Sequence, residues 1–369
     1  MPYIHELPDW PNFQWNTELL ANRLANTRHR QGLLLGKMSS LGFAARAEAG
    51  LETLTEDIVK SGAIEGEHLD SAQVRSSLAR RLGIDIGGLA PANRNVEGVV
   101  EMMLDATRQY SQALTRERLF GWHAALFPTG YSNARRIAVA AWRAADAGAM
   151  QVVSGPIGHE RVHFEAPRAE RLEHEMSVFL NWFAENENLD PVIKAGVAHL
   201  WFVSIHPFED GNGRIARAIA DMQLARADNS AERFFSMSAQ IERERKAYYD
   251  ILEHSQKGGI NITAWLDWFL LCLAHAVDGA DSMLSAVMRK AKVWNHANNY
   301  ALNERQRLIV NKLLGDFYGK LTSGKYAKLA KCSQDTAIRD IKSLIEYGIL
   351  RQGDGAGRST NYELADNAS

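Results

Sequence analysis

Apolar residues recur every three or four positions over most of the first 83 residues, which is the spacing of amphipathic helices. The positions that follow it are Leu20, Leu24, Leu34, Met38, Leu41, Leu51, Leu54 and Ile58. Residues 1–15 contain three prolines and two tryptophans and instead predict an ordered, extended arm. The stretch GIDIGGLAPANRN at 83–95 interrupts the helical spacing with glycines and a proline. We therefore predict a helical N-terminal region over residues 1–95.

Helical spacing resumes at residues 96–127 and again after residue 170, with one clear interruption between these stretches. In MQVVSGPIGHERVHFEAP, residues 150–167, two β-branched or alternating runs flank a Gly-Pro-Ile-Gly turn, which predicts a β-hairpin. Later apolar runs predict a buried helix from Pro191 to Ile205, a helix from near Gly213, and helices over about 241–256 and 263–290. The result is a mainly α-helical core over residues 96–290 with a single hairpin.

The last part of the chain, residues 301–369, has a different pattern. A helix at 302–315 precedes two short helices separated by Ser333-Gln334-Asp335, and the glycine-rich GDGAGRSTNYEL then predicts a hairpin. This order is typical of a winged helix-turn-helix. Eight Lys and Arg against four Asp and Glu between positions 320 and 358 leave a local charge of +4. The unit could therefore contact DNA, but winged helices also form dimers or hold protein partners.

The composition is that of an ordinary folded chain, with 46% hydrophobic residues, 23% charged residues and a formal net charge of −2. These values exclude a disordered chain and give no overall attraction to nucleic acid. The most apolar stretches are short and contain Lys194 or Asp267, so neither predicts a membrane span. Cys272 and Cys332 are too few for a disulfide framework. With an N-terminus unlike a signal peptide, these features predict a cytoplasmic protein without a membrane partner.

The segment IHPFEDGNGRIAR, residues 205–217, brings a histidine, two acids, a Gly-Asn-Gly turn and two arginines between two predicted helices. Its glycines allow backbone N–H groups to converge at the start of the second helix, where anions bind. Arg214 and Arg217 lie three residues apart, so both project from one helix face. Cations oppose the dipole at a helix N-terminus unless an anion lies between them. The loop therefore predicts a di- or triphosphate site.

Three other side chains of this loop indicate chemistry on that phosphate. Asp210 would repel phosphate unless a cation intervened, and one carboxylate with phosphate oxygens is a usual Mg²⁺ shell. His206, at the end of the buried helix, can act as a general base towards an incoming hydroxyl. Asn212 can donate to charge that develops on the phosphoryl oxygens. The loop is not a nucleotide P-loop, since no strand precedes it and no Gly-Lys-Ser/Thr ends it.

HPFEDGNGRIAR resembles the signature of the Fic family, His-x-Phe-x-(Asp/Glu)-Gly-Asn-Gly-Arg-x-x-Arg, at every defined position. The resemblance implies a Fic helical core and a protein adenylyltransferase, a nucleotidyltransferase that moves AMP from Mg-ATP to a Ser, Thr or Tyr hydroxyl of a target protein. It makes His206 the base, Phe208 a core anchor and Asp210 the Mg²⁺ ligand. The implied phosphate-binding residues are Gly211, Asn212, Gly213, Arg214 and Arg217. The family's phosphokinase branch has lysine at the position of Gly213, so the resemblance disfavours a kinase.

The resemblance covers about residues 96–290 and implies a further set of nucleotide contacts. The predicted hairpin takes the place of the family's flap, which covers the nucleotide and aligns the target as an added strand. The flap residues expected to border the nucleotide are Val152, Val153, Ser154 and Gly155. Tyr248, Tyr249 and Gln256 match the spacing of a Tyr-Tyr pair and a later amide that contact adenosine. A tyrosine pair on a helix is also common as core packing.

SGAIEG, residues 61–66, ends an amphipathic helix with Ser61 and Glu65 at positions i and i+4. Taken alone, Gly66 is an ordinary C-cap and Glu65 a solvated carboxylate. Autoinhibited Fic proteins carry Ser/Thr-x-x-x-Glu-Gly/Asn in a helix against the active site. The resemblance therefore implies the subgroup with an N-terminal inhibitory helix and a winged C-terminus. In that interpretation Glu65 pairs with Arg217 and leaves ATP in an unproductive pose.

Two other functions stay open on the sequence. Glu65 could orient a water that removes AMP from a modified target, which would make the chain a de-AMPylase. The chain could also be a DNA-binding transcriptional regulator whose core only senses nucleotide, although a sensor has no use for the base His206. Self-modification and a homodimer are compatible with the same residues.

Overall fold

A computed structural model describes residues 2–86, 90–132, 134–145, 148–155, 159, 161–185, 189–314, 317, 319–353 and 360–365, apart from the side chains of 281–283, 286 and 291. The fold is mainly helical with short hairpins, as predicted. The chain separates into two compact units, Met1–Asp281 and Ser282–Ser369. The division of the first unit at residue 95 stays a prediction.

The first unit consists of helices joined by short loops and two small hairpins. Its helices are α1 (Thr17–Ser39), α2 (Phe43–Ile64), α3 (Ser71–Leu82), α4 (Arg94–Arg108), α5 (Arg116–Leu126), α6 (Leu172–Ala184), α7 (Pro191–Ile205), α8 (Asn212–Asp228), α9 (Met237–Arg243), α10 (Arg245–Gln256) and α11 (Thr263–Ala297), which continues into the second unit. The strands are β1 (Tyr131–Ser132), β2 (Arg135–Arg136), β3 (Gln151–Ser154) and β4 (Arg161–Glu165).

The core of this unit is built around α7 and α8, which pack against each other on either side of the loop at 205–217. Asp190 caps α7 by accepting a hydrogen bond from the Val192 N–H, and Pro191 occupies the first turn. The α7 residues from Val192 to Ile205 are buried because the segment is apolar on nearly every face, and the Lys194 ammonium donates to the Trp182 and Glu185 carbonyls. The predicted buried helix is therefore confirmed at both ends.

Two buried carboxyl groups lie on α2 and α8. Asp57 Oδ1 accepts hydrogen bonds from Ser236 and Ser238, and Asp221 Oδ1 lies 2.8 Å from Nη2 of Arg233. The Oδ2 atoms of both carboxyls are buried and accept no hydrogen bond from any other described group. Burial, and next the Asp57 charge, raise the pKa of Asp221 to about 8. A proton shared by the two Oδ2 atoms would satisfy both of them.

The N-terminal arm packs on the β3–β4 hairpin. It consists of a 3₁₀ helix at Ile4–Glu6, a bend and turns over residues 7–11, and a short extended stretch over residues 12–16. His5 Nε2 lies 2.8 Å from the backbone carbonyl oxygen of Glu165, and the rings of Tyr3 and His5 contact Phe164 edge-on. The prediction of an extended arm was therefore wrong for most of its length, because local turns, such as the bond from the Trp10 N–H to the Leu7 carbonyl, fold the chain back on itself.

The predicted hairpin at 150–167 forms, with Val152 opposite Phe164 and a β-bulge between Val152 and Val153. Its predicted Gly-Pro-Ile-Gly turn lies mostly outside the described residues, since only Gly155 is described. A second hairpin, β1–β2, pairs Tyr131 with Arg136. The prediction of a single hairpin before the C-terminus was therefore wrong, because strands of two residues have no room for a pattern of alternating apolar positions.

Two helices differ from their predicted bounds. The helix predicted over 241–256 is two helices, α9 and α10, which break at Glu244 although neither glycine nor proline is there. The helix predicted to end at residue 290 continues to Ala297. None of the described helices combines the length and apolarity that a membrane span needs.

The second unit contains α12 (Glu304–Leu314), α13 (Ser323–Leu329) and α14 (Gln334–Glu346), followed by β5 (Leu350–Gln352) and β6 (Tyr362–Leu364). The two strands pair antiparallel, and Leu321 forms an isolated bridge to Tyr362. Ser333 caps α14 by accepting a hydrogen bond from the Thr336 N–H. Three helices followed by a hairpin is the order predicted for a winged helix-turn-helix.

Candidate active site

His206 ends α7 in a left-handed conformation, with a φ of 51°. Its backbone N–H bonds to the Phe202 carbonyl at 3.0 Å, so the helix stops without losing that hydrogen bond. The imidazole Nδ1 lies 3.2 Å from the Val203 carbonyl oxygen. A carbonyl can only accept, so Nδ1 carries the proton and Nε2 is left with a free lone pair.

The His206 imidazole is neutral at physiological pH. Burial is the main cause, the charge of Arg143 adds to it, and together they lower the pKa of His206 to about 4. Arg143 also supports the turn directly, since its Nε donates to the His206 carbonyl at 2.9 Å. Its Nη2 donates to the carbonyl of Pro167, just after β4. The buried Arg143 therefore joins the turn that carries the histidine to the chain that leaves the hairpin.

The rest of the loop is shaped by its own side chains. The Asn212 amide bonds to both backbone groups of Phe208, accepting from N–H at 2.9 Å and donating to C=O at 2.8 Å. Gly211 has a φ of 81°, which favours glycine, and its N–H bonds to Asp210 Oδ1 at 2.5 Å. The Ser132 hydroxyl, from the β1–β2 hairpin, contacts Asp210 Oδ2. These contacts hold the loop in this conformation. A catalytic role for Asn212 stays a prediction.

Arg217 is buried and contacts the end of α2 through all three guanidinium nitrogens. Its Nε and Nη2 donate to the side-chain and backbone oxygens of Ser61, each at 2.9 Å. Its Nη1 lies 2.9 Å from Glu65 Oε1, a close ionic contact rather than an aligned hydrogen bond. A Cβ placed on Gly213 would clash with the same Glu65 oxygen. The carboxylate therefore lies directly over the first turn of α8.

Arg214 pairs with a different carboxylate. Its Nη1 lies 2.7 Å from Glu67 Oε2, and its guanidinium lies 5.0 Å from the centre of the Phe127 ring. The two arginines were predicted to point at one place, but each has its own glutamate in this structure. Glu67 was not identified from the sequence.

Both glutamates are presented by the turn that ends α2. Gly66 has a φ of 80°, and its N–H bonds to the Ala63 carbonyl. The Glu67 N–H bonds to the Gly62 carbonyl, which completes a Schellman motif. Because Gly66 reverses the chain between them, Glu65 and Glu67 both face the N-terminal turn of α8.

A cavity of about 550 Å³ opens beside this contact. Its lining residues are Glu65, Val152, Val153, Ser154, His163, Val203, His206, Gly213, Arg245, Lys246, Tyr248, Tyr249, Asp250, Leu252, Glu253 and Gln256. Nine predicted site residues are among these, from the inhibitory motif, the flap, the loop and α10. Gly155, Asp210, Gly211, Asn212, Arg214 and Arg217, all described, do not line it, nor do Ser61 and Gly66.

Three α10 side chains that line the cavity form hydrogen bonds with other parts of this chain. Tyr248 is buried, and its hydroxyl lies 2.9 Å from His199 Nε2. The Tyr249 hydroxyl donates to the Ile64 carbonyl at the end of α2 at 3.3 Å. Gln256 Nε2 donates to the Ser204 hydroxyl at 3.2 Å. Tyr248 therefore also serves as core packing, while Tyr249 joins α10 to α2.

Several residues that shape the site were missed from the sequence, namely Glu67, Ser132, Arg143, His163 and Glu253. They lie far from 205–217 along the chain and belong to no local motif. Arg143 and Ser132 lie in irregular chain or in a two-residue strand, where periodicity carries no signal. An acidic residue two positions after Glu65 was the one visible clue to Glu67.

A Mg²⁺ ion would have Asp210 as its protein ligand. No group of three or more His, Cys, Asp or Glu side chains forms a metal site in the described part of the chain. Magnesium bound mainly through phosphates needs only one or two carboxylates. Both Asp210 oxygens accept one hydrogen bond and keep a further lone pair. The residues present therefore fit a cation that arrives with the nucleotide.

Residues 113–224 match the Fic/DOC family. The matched segment is similar to Fic domains. It includes α7, the loop and most of α8. Residues 3–84, which include α1, α2, α3 and most of the arm, match a separate family described as a domain of unknown function (DUF4172). Glu65 and Glu67 thus come from outside the Fic match, although they contact its two signature arginines.

Similar proteins include two named protein adenylyltransferase Fic. The protein from Nematostella vectensis is 32% identical over 114 residues, or 30% of this chain and 25% of that protein. The protein from Culex quinquefasciatus is 28% identical over 243 residues, or 61% of this chain and 42% of that protein. The chain thus spans a quarter to less than half of the length of these two curated relatives.

The fold also resembles a solved structure of a Fic family protein from Desulfovibrio desulfuricans G20. The TM-score is 0.54 at 20% identity, and the match covers 93% of this chain and 96% of that one. At this identity the likeness concerns the fold alone. It supports a Fic fold for this chain.

Proposed function

We propose that the chain is a protein adenylyltransferase that transfers AMP from Mg-ATP to a hydroxyl side chain of a target protein, and that Glu65 holds it inactive. The observation that carries the proposal is the loop at 205–217, where a neutral histidine and two arginines meet at the N-terminus of a helix beside a cavity. The adenylyltransferase names of the similar proteins favour the same chemistry.

The chemical step needs a base and a site for the phosphates. The target hydroxyl attacks the α-phosphorus, the bond to the departing pyrophosphate breaks, and the proton goes to Nε2 of His206. A pKa near 4 makes a weak base, but bound phosphates place negative charge beside the imidazole and raise that pKa. The N-terminal turn of α8 supplies backbone N–H groups to the phosphates.

The adenine and ribose of ATP would lie in the cavity between the β3–β4 hairpin and α10. Val152 and Val153 offer an apolar wall on one side, and Tyr249 with Gln256 line the other. Asp210 would hold Mg²⁺ together with phosphate oxygens, and the cation would neutralise part of the phosphate charge. Arg214 and Arg217 would bind the outer phosphates once their glutamates move away.

Inhibition follows from what Arg217 contacts. It is buried, and Ser61 and Glu65 already occupy its guanidinium. A phosphate that approached it would meet the Glu65 carboxylate above Gly213. A nearby like charge costs a bound phosphate on the order of 1.5–3 kcal/mol, so removing the Glu65 carboxylate should raise the transfer rate roughly 10- to 100-fold.

The test is transfer of α-³²P-labelled AMP from ATP and Mg²⁺ to proteins of a cell lysate. Glu65→Gly should increase labelling over the unmodified chain by that factor, and adding His206→Ala should abolish it. Glu56→Gly is the matched control, since it removes a carboxylate of the same helix that faces Arg243 instead. Unchanged labelling by Glu65→Gly would refute the inhibitory role, and labelling that survives His206→Ala would refute the role of the base.

Removal of AMP is the second candidate, because Glu65 and His206 line the same cavity and the Glu65 side chain is 34% exposed. A carboxylate there could orient a water towards a phosphodiester. Release of labelled AMP from a modified target by the unmodified chain, lost in Glu65→Gly, would favour this reaction. Equal release by both proteins would exclude it.

A further inference from the structure

A second hydrogen-bonded histidine faces the cavity from the hairpin. Ser154 Oγ lies 2.5 Å from Nε2 of His163, and Nδ1 of His163 lies 2.6 Å from Oε2 of Glu253. The serine belongs to β3, the histidine to β4 and the glutamate to α10. All three line the cavity that also contains His206 and Gly213.

The charges around this group fix the direction of its hydrogen bonds. Slight burial raises the pKa of Glu253, but hydrogen bonds from Lys257, His163 and Arg161 outweigh it and lower the pKa to about 2. An ionised carboxylate only accepts, so the histidine proton lies on Nδ1. In the neutral imidazole, Nε2 then accepts from the Ser154 hydroxyl. A nucleophilic hydroxyl is activated in this way by a base that a third group orients.

The hydrogen bonds among Ser154, His163 and Glu253 do more than attach the hairpin to α10. The hydrogen bonds of Arg161 and His163 to Glu253 already join β4 to α10. The contact between Ser154 and His163 lies within one hairpin, so it adds no link to α10. Its effect is to hold an exposed serine hydroxyl against an imidazole whose other nitrogen is fixed.

We propose that Ser154 is itself an acceptor of AMP, modified within its own molecule, with His163 as its base. This inference rests on the proposed adenylyltransferase, which supplies ATP at the same cavity. The Ser154 oxygen forms a bond to the α-phosphorus of ATP, the bond to pyrophosphate breaks, and the hydroxyl proton goes to Nε2 of His163. The imidazolium is stabilised by Glu253, as in other triads of this kind. The attached adenylate would fill the cavity and limit further binding of ATP.

The experiment uses full-length Glu65→Gly protein with α-³²P-labelled ATP and Mg²⁺ in a cell lysate, and it has two readouts. Labelled lysate proteins that require His206 report the proposed function. AMP on the peptide that contains Ser154, located by mass spectrometry, reports the inference. A general base contributes about 10²–10⁴-fold, so adding His163→Ala should lower Ser154 labelling at least 100-fold relative to the lysate proteins. Added imidazole should restore part of it. His174→Gln, an exposed histidine on α6, is the control and should leave both readouts unchanged.

Each outcome decides the inference. Three results together support intramolecular modification. AMP on Ser154 depends on His163, it recovers with imidazole, and the fraction of Ser154 modified per unit time does not change with protein concentration. Labelled lysate proteins without AMP on Ser154 overturn the inference and leave the proposed function intact. AMP on Ser154 that is insensitive to His163→Ala overturns the role of the histidine. If neither the lysate proteins nor Ser154 are labelled, the proposed function fails and the inference fails with it.

Discussion

The buried carboxyl pair of α2 and α8 predicts a pH dependence of stability that a single substitution should remove. The pKa of Asp221 is raised from 3.8 to about 8 in the folded chain, mainly by burial and next by Asp57. The folded chain therefore holds this proton more tightly than the unfolded chain does. Its contribution to the free energy of unfolding is complete below about pH 4 and is lost as the pH rises towards 8.

The size follows from linkage. Between these limits the unfolded chain has the carboxyl ionised while the folded chain keeps it protonated, so the free energy of unfolding falls by about 1.4 kcal/mol for each pH unit. The whole range amounts to roughly 6 kcal/mol, a large share of the stability of a typical domain. Arg233 and Arg217 oppose the shift and are already included in the raised pKa.

Asp221→Asn should abolish this slope, because an amide can donate to Asp57 Oδ2 as the protonated carboxyl does, but at every pH. Urea unfolding of both proteins at pH 5, 6, 7 and 8 measures the difference. The unmodified chain should lose about 4 kcal/mol relative to the variant across this series. Asp250→Asn, which removes an exposed carboxylate paired with Lys246, is the control. Stability curves for Asp221→Asn and the unmodified chain that run parallel within about 0.5 kcal/mol would refute the shared proton.

Three further predictions concern the loop. Gly213→Ala should stabilise Glu65→Gly to urea by about 0.5–1 kcal/mol, the usual gain in a helix, but should gain less with Glu65 present, because the new Cβ displaces the end of that side chain; additive effects would contradict the contact. Glu67→Gln should tighten ATP binding roughly two- to fivefold by calorimetry, because it releases Arg214 from a partly exposed ion pair; no change would mean that Arg214 does not bind ATP. Arg143→Lys should cost about 1–3 kcal/mol in urea unfolding by leaving a carbonyl unsatisfied, whereas exposed Arg136→Lys should be neutral.

The sequence could predict what depends on neighbours along the chain. The buried helix at 191–205, its Asp-Pro start and the turn at 205–217 are local features, since the capping, the apolar run and the glycines lie within a few residues of one another. The hairpin at 150–167 was predictable for the same reason. Gly66 was correctly placed at a helix end, because a left-handed C-cap favours glycine.

The rest depends on which surfaces meet. Nothing near Arg214 indicates that Glu67, 147 residues earlier, is its partner. The relation between Ser154, His163 and Glu253 needs the hairpin to pack on α10, 90 residues further on. The break at Glu244 has no glycine or proline that would signal it in the sequence. Tertiary packing rather than helix propensity sets that boundary.

The N-terminal arm and the end of α2 bear on how this chain could be divided. A fragment cut at residues 113–224 would keep the histidine, the loop and both arginines, but it would lose His5 behind the hairpin and both glutamates in front of the arginines. Such a fragment would expose buried Arg217 and the packed face of Phe164 to water. The boundaries of a sequence family are therefore not places where this molecule can be separated into working modules. The two matched segments belong to one compact unit and complete each other's packing.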